Sequence, residues 1–191
     1  MSETLAHLLD RLGRAVHNLQ YAGGLNPAQW EALRFLSRAN RYSRKPSALA
    51  DYLGTTKGTV SQTVKALEEK GLVERAVEVK DRRIVRLELT DEGHAMLTSD
   101  PLLALSEAAA AAPEEVAAAT RILSGYVRSL QGQCGMKSFG ICTNCGHFGS
   151  DICDDGVVPH CGLTGEPLSE TEVRKICGSC DDQSSGSQPP S

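Results

Sequence analysis

All seven cysteines of this 191-residue chain, Cys134, Cys142, Cys145, Cys153, Cys161, Cys177 and Cys180, fall in its last third. Cys142 and Cys145 make a C-x2-C pair inside Cys-Thr-Asn-Cys-Gly-His. Cys161 follows after fifteen intervening residues and Cys177 after fifteen more. Four thiolates so placed can close one metal site. A second set joins Cys142 and Cys145 to the other C-x2-C pair, Cys177 and Cys180, as a zinc tetrathiolate with a long excursion between its knuckles. His147, His160 and Cys153 are able to substitute in either set, and the glycines beside the cysteines permit turns that aim backbone N–H groups at sulfur. Metal-free thiols or a disulfide switch are the third reading. Cys134 and Cys180 serve equally well as spare thiols, and Asp154-Asp155 reads as a solvated turn.

A second chemistry lies upstream. The formal net charge of −4 argues against a nucleic-acid partner only if charge is spread evenly, and it is not. From Arg34 to Arg86 thirteen Lys or Arg face six Asp or Glu, whereas from Gly132 onward three basic residues face eight acidic ones. A basic head therefore carries an acidic, cysteine-rich tail. No run approaches the roughly 18 to 20 apolar residues of a membrane span, and no signal-peptide pattern is present, so a cytoplasmic protein without membrane contact is expected. In that compartment clustered cysteines favour metal or redox chemistry over a disulfide framework. No nucleophile triad, phosphate loop or dinucleotide motif occurs, which argues against an enzyme.

The elements that must hold these groups follow from periodicity. Leu5, Leu8, Leu9, Leu12, Val16 and Leu19 recur at helical spacing over residues 2–22 and stop at Gly23-Gly24. Asn26-Pro27 starts a second helix with Trp30, Leu33, Phe35 and Leu36 on its apolar side, ending in the polar stretch 40–45. A short third helix spans 46–53, with Leu49, Ala50 and Leu53 inward and Gly54 at its left-handed end. Thr55 or Thr56 caps a fourth, in which Val60, Val64 and Leu67 repeat before Lys70-Gly71. Two short helices joined by a tight turn are a helix-turn-helix signal. Beyond Leu72 the period becomes two, and Val85, Leu87 and Leu89 form a β-hairpin with a charged tip. Thr90-Asp91-Glu92 opens another helix that bends at Asp100-Pro101 and runs on through the alanines until Pro113 breaks or restarts it. Val116, Ile122, Leu123, Tyr126, Val127 and Leu130 then line an apolar face that calls for a partner. The tail has one candidate helix, 169–176, and 181–191 reads as a disordered terminus.

The second helix of a helix-turn-helix enters the major groove, so its outward side chains must be short or polar. Thr56, Lys57, Thr59, Ser61, Gln62, Thr63 and Lys65 lie off the apolar stripe, and Gly58 lets the helix start approach DNA closely. Gln62 suits adenine, while Lys57 and Lys65 suit phosphate or guanine. The hairpin tip adds Lys80, Arg82 and Arg83 beside Asp81, suited to the phosphate backbone or a narrow minor groove. Trp30 and Tyr126 read as packing residues and His94 as a surface residue.

The segments Leu49-Ala50-Asp51-Tyr52-Leu53, Thr59-Val60-Ser61, Leu67-Glu68-Glu69-Lys70-Gly71-Leu72-Val73, Asp81-Arg82-Arg83 and Leu89-Thr90-Asp91-Glu92-Gly93 together resemble the multiple antibiotic resistance regulator (MarR) family over residues 3–131. The resemblance implies a mainly α winged helix-turn-helix fold with a small β-hairpin wing, and a homodimer built from the first helix and the last long helices. It also implies a palindromic double-stranded DNA operator, repression relieved by a small-molecule effector or oxidation, and minor-groove contact through Arg83. Residues 1–131 would then be the family domain, with the winged helix at 26–90 and dimerisation helices at 3–22 and 90–131. The cysteine-rich tail, 132–180, departs from the family pattern. The spacing of Cys142, Cys145, Cys161 and Cys177 resembles that of high-potential iron-sulfur proteins and of small iron-sulfur subunits of glycyl-radical enzymes, which implies a four-iron cluster. That resemblance places an iron-sulfur cluster slightly ahead of zinc. The expectation is a transcriptional regulator whose operator affinity is modulated by the metal, cluster or redox state of its tail through dimer geometry. The alternative is a winged-helix protein-interaction module with a structural zinc knuckle.

Overall fold

The computed structural model describes residues 2–77, 85–109, 113–133, 137, 139–153 and 156–180. The head is organised around α2 (Pro27–Arg38), whose start is fixed by a reciprocal capping box. Asn26 Oδ1 accepts the Gln29 N–H at 3.0 Å and Gln29 Oε1 accepts the Asn26 N–H at 3.1 Å. Trp30, Ala32, Leu33, Phe35 and Leu36 are all buried, more than a single stripe, because α2 meets other elements on several sides. Against it pack α3 (Pro46–Leu53), α4 (Lys57–Glu69) and the two-stranded wing of β1 (Val73–Val77) and β2 (Val85–Leu89). Gly54 closes α3 with φ 59°, and Val60, Val64 and Leu67 hold α4 to the core, both as the spacing predicts. The antiparallel register from Val73 opposite Leu89 to Val77 opposite Val85 turns Leu87 fully inward. The charged tip expected at Lys80, Asp81, Arg82 and Arg83 lies outside the described residues.

The remaining helices are α1 (Ser2–Leu19), α5 (Asp91–Leu97), α6 (Leu103–Ala109) and α7 (Pro113–Gln133). Thr90 caps α5 by accepting the Gly93 N–H while donating to the Gly71 carbonyl. Gly93 is required at this crossing, since a Cβ there would collide with the Leu72 carbonyl oxygen. The helix expected to bend at Asp100 and continue instead ends before it. Asp100 is occupied elsewhere: its carboxylate takes Nε and Nη2 of Arg34 at 2.6 and 2.9 Å and also the Leu102 N–H at 2.9 Å. Arg34 Nη1 reaches Gln20 Oε1 at 2.7 Å, so one guanidinium ties the end of α1, the middle of α2 and the α5–α6 junction together. By contrast, Leu8, Leu12 and Leu19 on α1 and Ile122, Tyr126, Val127 and Leu130 on α7 remain exposed in a single chain.

The tail is a β structure. Strands β3 (Gly140–Ile141) and β7 (Ile176–Cys177) pair antiparallel, and β4 (Phe148–Cys153), β5 (Gly156–Cys161) and β6 (Glu166–Pro167) form a second sheet in that order. The helix expected over 169–176 is a single 3-10 turn, Glu172–Arg174, after which Lys175 turns extended with ψ 156°. Tertiary pairing overrides helical spacing here, because Ile176 must be extended to face both Ile141 and Ala39. The terminus 181–191 and Cys134 lie outside the described residues, and Cys153 falls in β4.

The Arg34–Asp100 pair gives a pH signature. Burial alone would raise the Asp100 pKa, but the Arg34 and Leu102 donors outweigh it and hold the carboxyl below its ordinary value. Its stabilisation is therefore full above about pH 4 and is lost as pH falls through the lowered value. We expect Asp100→Asn to lose on the order of 2 kcal/mol at neutral pH. In urea titrations that deficit should shrink as the pH is taken down below about 4.

Candidate DNA interface and cysteine cavity

The sequence of α4 separates holding from reading. Its N-cap, Thr56, accepts the Thr59 N–H at 3.1 Å and shares a 2.9 Å hydrogen bond with the Thr59 hydroxyl. Thr63 turns its hydroxyl back to the Thr59 carbonyl at 3.1 Å and is half-buried. Thr56, Lys57, Gly58, Thr59, Ser61, Gln62 and Lys65 are exposed along the cap and body of this helix, and Lys65 makes a 3.8 Å solvent-facing pair with Glu69. The uncapped N–H groups and positive dipole end of α4 face outward at the same place, which favours an anion such as phosphate. Gly58 has an ordinary helical conformation, and a Cβ on it would meet nothing closer than Thr56 Oγ1 at 3.7 Å. The fold itself thus has room for a side chain at this position. Arg75, 2.9 Å from Glu68, ties β1 to α4, so the strand leading to the wing tip moves with the helix.

The tail brings its thiols together by strand pairing. Gly140 pairs with Cys177 and Ile141 with Ile176, which sets Cys142 beside Cys177. Phe148 pairs with Cys161, and its N–H donates to the Cys145 carbonyl at 3.0 Å, which sets Cys145 beside Cys161. Cys142, Cys145, Cys161 and Cys177 line one cavity together with Asn40, Tyr42, His147, Phe148 and Leu168. Among the described residues, no three His, Cys, Asp or Glu side chains are gathered about one point to hold a single ion. Cys180 is elsewhere: its thiol donates to the Ile141 carbonyl at 3.8 Å and faces a different, open cavity bordered by α2 and α7. His160 packs over Gly149 and pairs with Asp151 at 3.1 Å. Burial, followed by the neighbouring Cys177 and Cys161, pushes the Cys142 thiol up to about 11, against the opposing Asn40 hydrogen bond.

The polar stretch 40–45, read from sequence only as a helix end, is where the tail docks. Asn40 is fully buried. Its N–H donates to the Ile176 carbonyl at 2.9 Å, Nδ2 approaches Cys142 Sγ at 4.0 Å and Oδ1 accepts the Ser43 N–H at 3.1 Å. Ser43 Oγ accepts the Gly178 N–H at 2.9 Å. Arg41 reaches the Pro167 carbonyl at 2.6 Å, Glu172 at 3.2 Å and Glu166 at 3.4 Å, and the Tyr42 hydroxyl donates to Glu166 at 3.0 Å. On the opposite side the Arg44 carbonyl accepts the Leu87 N–H at 2.7 Å, and Arg44 pairs with Glu88, both in β2. Only the density of hydrogen-bonding side chains in Asn40-Arg41-Tyr42-Ser43 hints at this in the sequence.

Residues 23–84 match the MarR family model. Among curated proteins, the transcriptional repressor MprA of Escherichia coli K12 is 31% identical over 91 residues, 48% of this chain and 52% of its own. The chain thus spans about half the length of the curated relative. Among solved structures, the transcriptional regulator BldR of Sulfolobus solfataricus superposes with a TM-score of 0.52 at 26% identity, covering 68% of this chain and 91% of its own. FabT of Streptococcus pneumoniae, solved in complex with DNA, superposes with a TM-score of 0.53 at 24% identity, covering 69% and 96%. The latter shows the fold alone.

Because Gly58 is not required by the fold, Gly58→Ala should preserve or raise Tm, by up to about 1 kcal/mol of helix propensity. It should still weaken DNA binding roughly tenfold if α4 enters a groove. Calorimetry beside a fluorescence titration separates the two effects, and unchanged affinity would move the reading surface away from the start of α4.

Proposed function

With residues 23–84 a MarR-family winged helix, we propose that this protein is a dimeric, sequence-specific DNA-binding repressor whose operator affinity follows the state of its cysteine cavity. The family's members are transcriptional regulators and not enzymes. The observation that carries the reading is the exposed polar face of α4, Lys57 to Lys65, raised on a buried Val60-Val64-Leu67 stripe. Thr56, Lys57, Gly58, Thr59, Ser61, Gln62, Thr63 and Lys65 read the major groove. Lys80, Asp81, Arg82 and Arg83 grip the backbone or minor groove.

Two copies of the chain cover the exposed apolar residues of α1 and α7, and the resulting two-fold axis calls for a palindromic site. Residues 1–131 form the regulator domain and 132–180 the cysteine unit. The open cavity bordered by Arg38, Tyr52, Leu123, Val127, Arg128 and Phe139 is suited to an apolar effector with one anionic group.

Beside the expected route through dimer geometry, a shorter one runs within the chain. Segment 39–45 touches the cysteine unit through Asn40 and Ser43, precedes α3 directly, and holds β2 through Arg44. A change at the cavity thus reaches both the helix-turn-helix and the base of the wing within a few residues.

Arg83→Ala should weaken operator binding by roughly tenfold and reduce the salt dependence, whatever the state of the cysteines. DNA recovered by genomic selection and titrated by fluorescence anisotropy at several salt concentrations provides the check. An unaltered affinity would remove the wing from the interface.

A further inference from the structure

Two separate strand pairings deliver Cys142 beside Cys177 and Cys145 beside Cys161, and we propose that these four thiolates hold a four-iron, four-sulfur cluster roofed by Asn40 and Tyr42 of the head. The ligand set is chosen by placement. Cys161 borders the cavity, whereas Cys180, which a zinc tetrathiolate of two C-x2-C knuckles needs, turns its thiol to the Ile141 carbonyl on another surface. Size also selects the occupant. One zinc at about 2.3 Å from each sulfur draws four thiolates to within about 4 Å of one another. Here all four border one cavity, yet no three of them gather about one point to hold a single ion.

The surroundings suit a cluster. Phe148, Leu163 and Leu168 make most of the lining apolar, which limits solvent access to the sulfurs. Two donors are aimed at the thiols: the Ser179 N–H at 3.4 Å from Cys177 Sγ and Asn40 Nδ2 at 4.0 Å from Cys142 Sγ. Hydrogen bonds of this kind stabilise thiolate charge and set cluster potential. Each thiol loses its proton to solvent when it ligates. The roof belongs to the DNA-reading head, so the cluster sits at a junction within one chain and its presence orders segment 39–45. That regulatory meaning rests on the DNA-binding reading above, but the ligand set does not.

The test is made on the full chain purified without oxygen. Wild type and Cys180→Ser should carry close to four irons and four sulfides per chain with a broad visible absorption, and Cys161→Ser should lose both. Hydrogen exchange across 39–45 should quicken when iron is removed with a chelator. One zinc per chain without sulfide, no bound metal, or metal lost from Cys180→Ser and kept by Cys161→Ser would overturn the assignment. Exchange unchanged by chelation would overturn the coupling. Should a serine variant fail to fold by circular dichroism, the wild-type iron and sulfide content decides. Operator binding is read separately. Cluster-loaded protein that selects no DNA refutes the repressor and spares the site, and colourless, zinc-loaded protein that binds its operator does the reverse.

Discussion

A fully buried amide side chain must find partners or cost the fold several kcal/mol, and Asn40 meets that constraint by joining what would otherwise be two units. Its backbone N–H is taken by Ile176 of the tail, its Oδ1 by Ser43 of its own loop, and its Nδ2 points to Cys142. Ser43 repeats the arrangement by accepting from Gly178. Both residues thus take partners from the tail. The short stretch between α2 and α3 is consequently a shared wall, with apolar core behind it, the wing strand β2 on one side and the cysteine cavity on the other.

That wall explains how an acidic tail can coexist with a basic head. The carboxylates of Glu166 and Glu172 in the tail are committed to Arg41 of the head. Part of the acidic charge of the tail is thus neutralised at the junction. Phe139 completes the join by packing edge-on against Phe35 and Tyr52, with ring centroids 6.1 and 5.2 Å apart. The tail is anchored by an aromatic contact to the core and by polar contacts to the loop. A change in one is therefore felt by α3 as well as by β2.

Much of the head was legible because several local signals agreed. For α3, proline at the first turn, inward Leu49 and Ala50, and Gly54 in the left-handed conformation all marked the same boundaries. For α4, the Thr56 cap and the Val60-Val64-Leu67 repeat did so. Where the sequence misled, long-range partners had decided the outcome. The stretch 169–176 has helical spacing, yet Ile176 is held extended by Ala39 and Ile141. The helix expected to run through Asp100 stops at Leu97, ahead of Pro101, and Asp100 is instead held by Arg34, sixty-six positions away. The cysteine set was half legible: spacing left two ligand sets open, and only the strand register put Cys161 on the cavity and Cys180 off it. The role of Asn40 and Ser43 was not legible, because burial of a polar residue leaves no periodic trace.

The most direct measurement of the central claim, that one loop couples the cysteine cavity to the DNA-reading head, is the operator affinity of a single preparation before and after its metal is removed by chelation. The account predicts a change of roughly tenfold, within the usual range of coupling between two sites, with head stability largely retained. Equal affinity for the loaded and stripped protein, on DNA that both forms bind specifically, would contradict it.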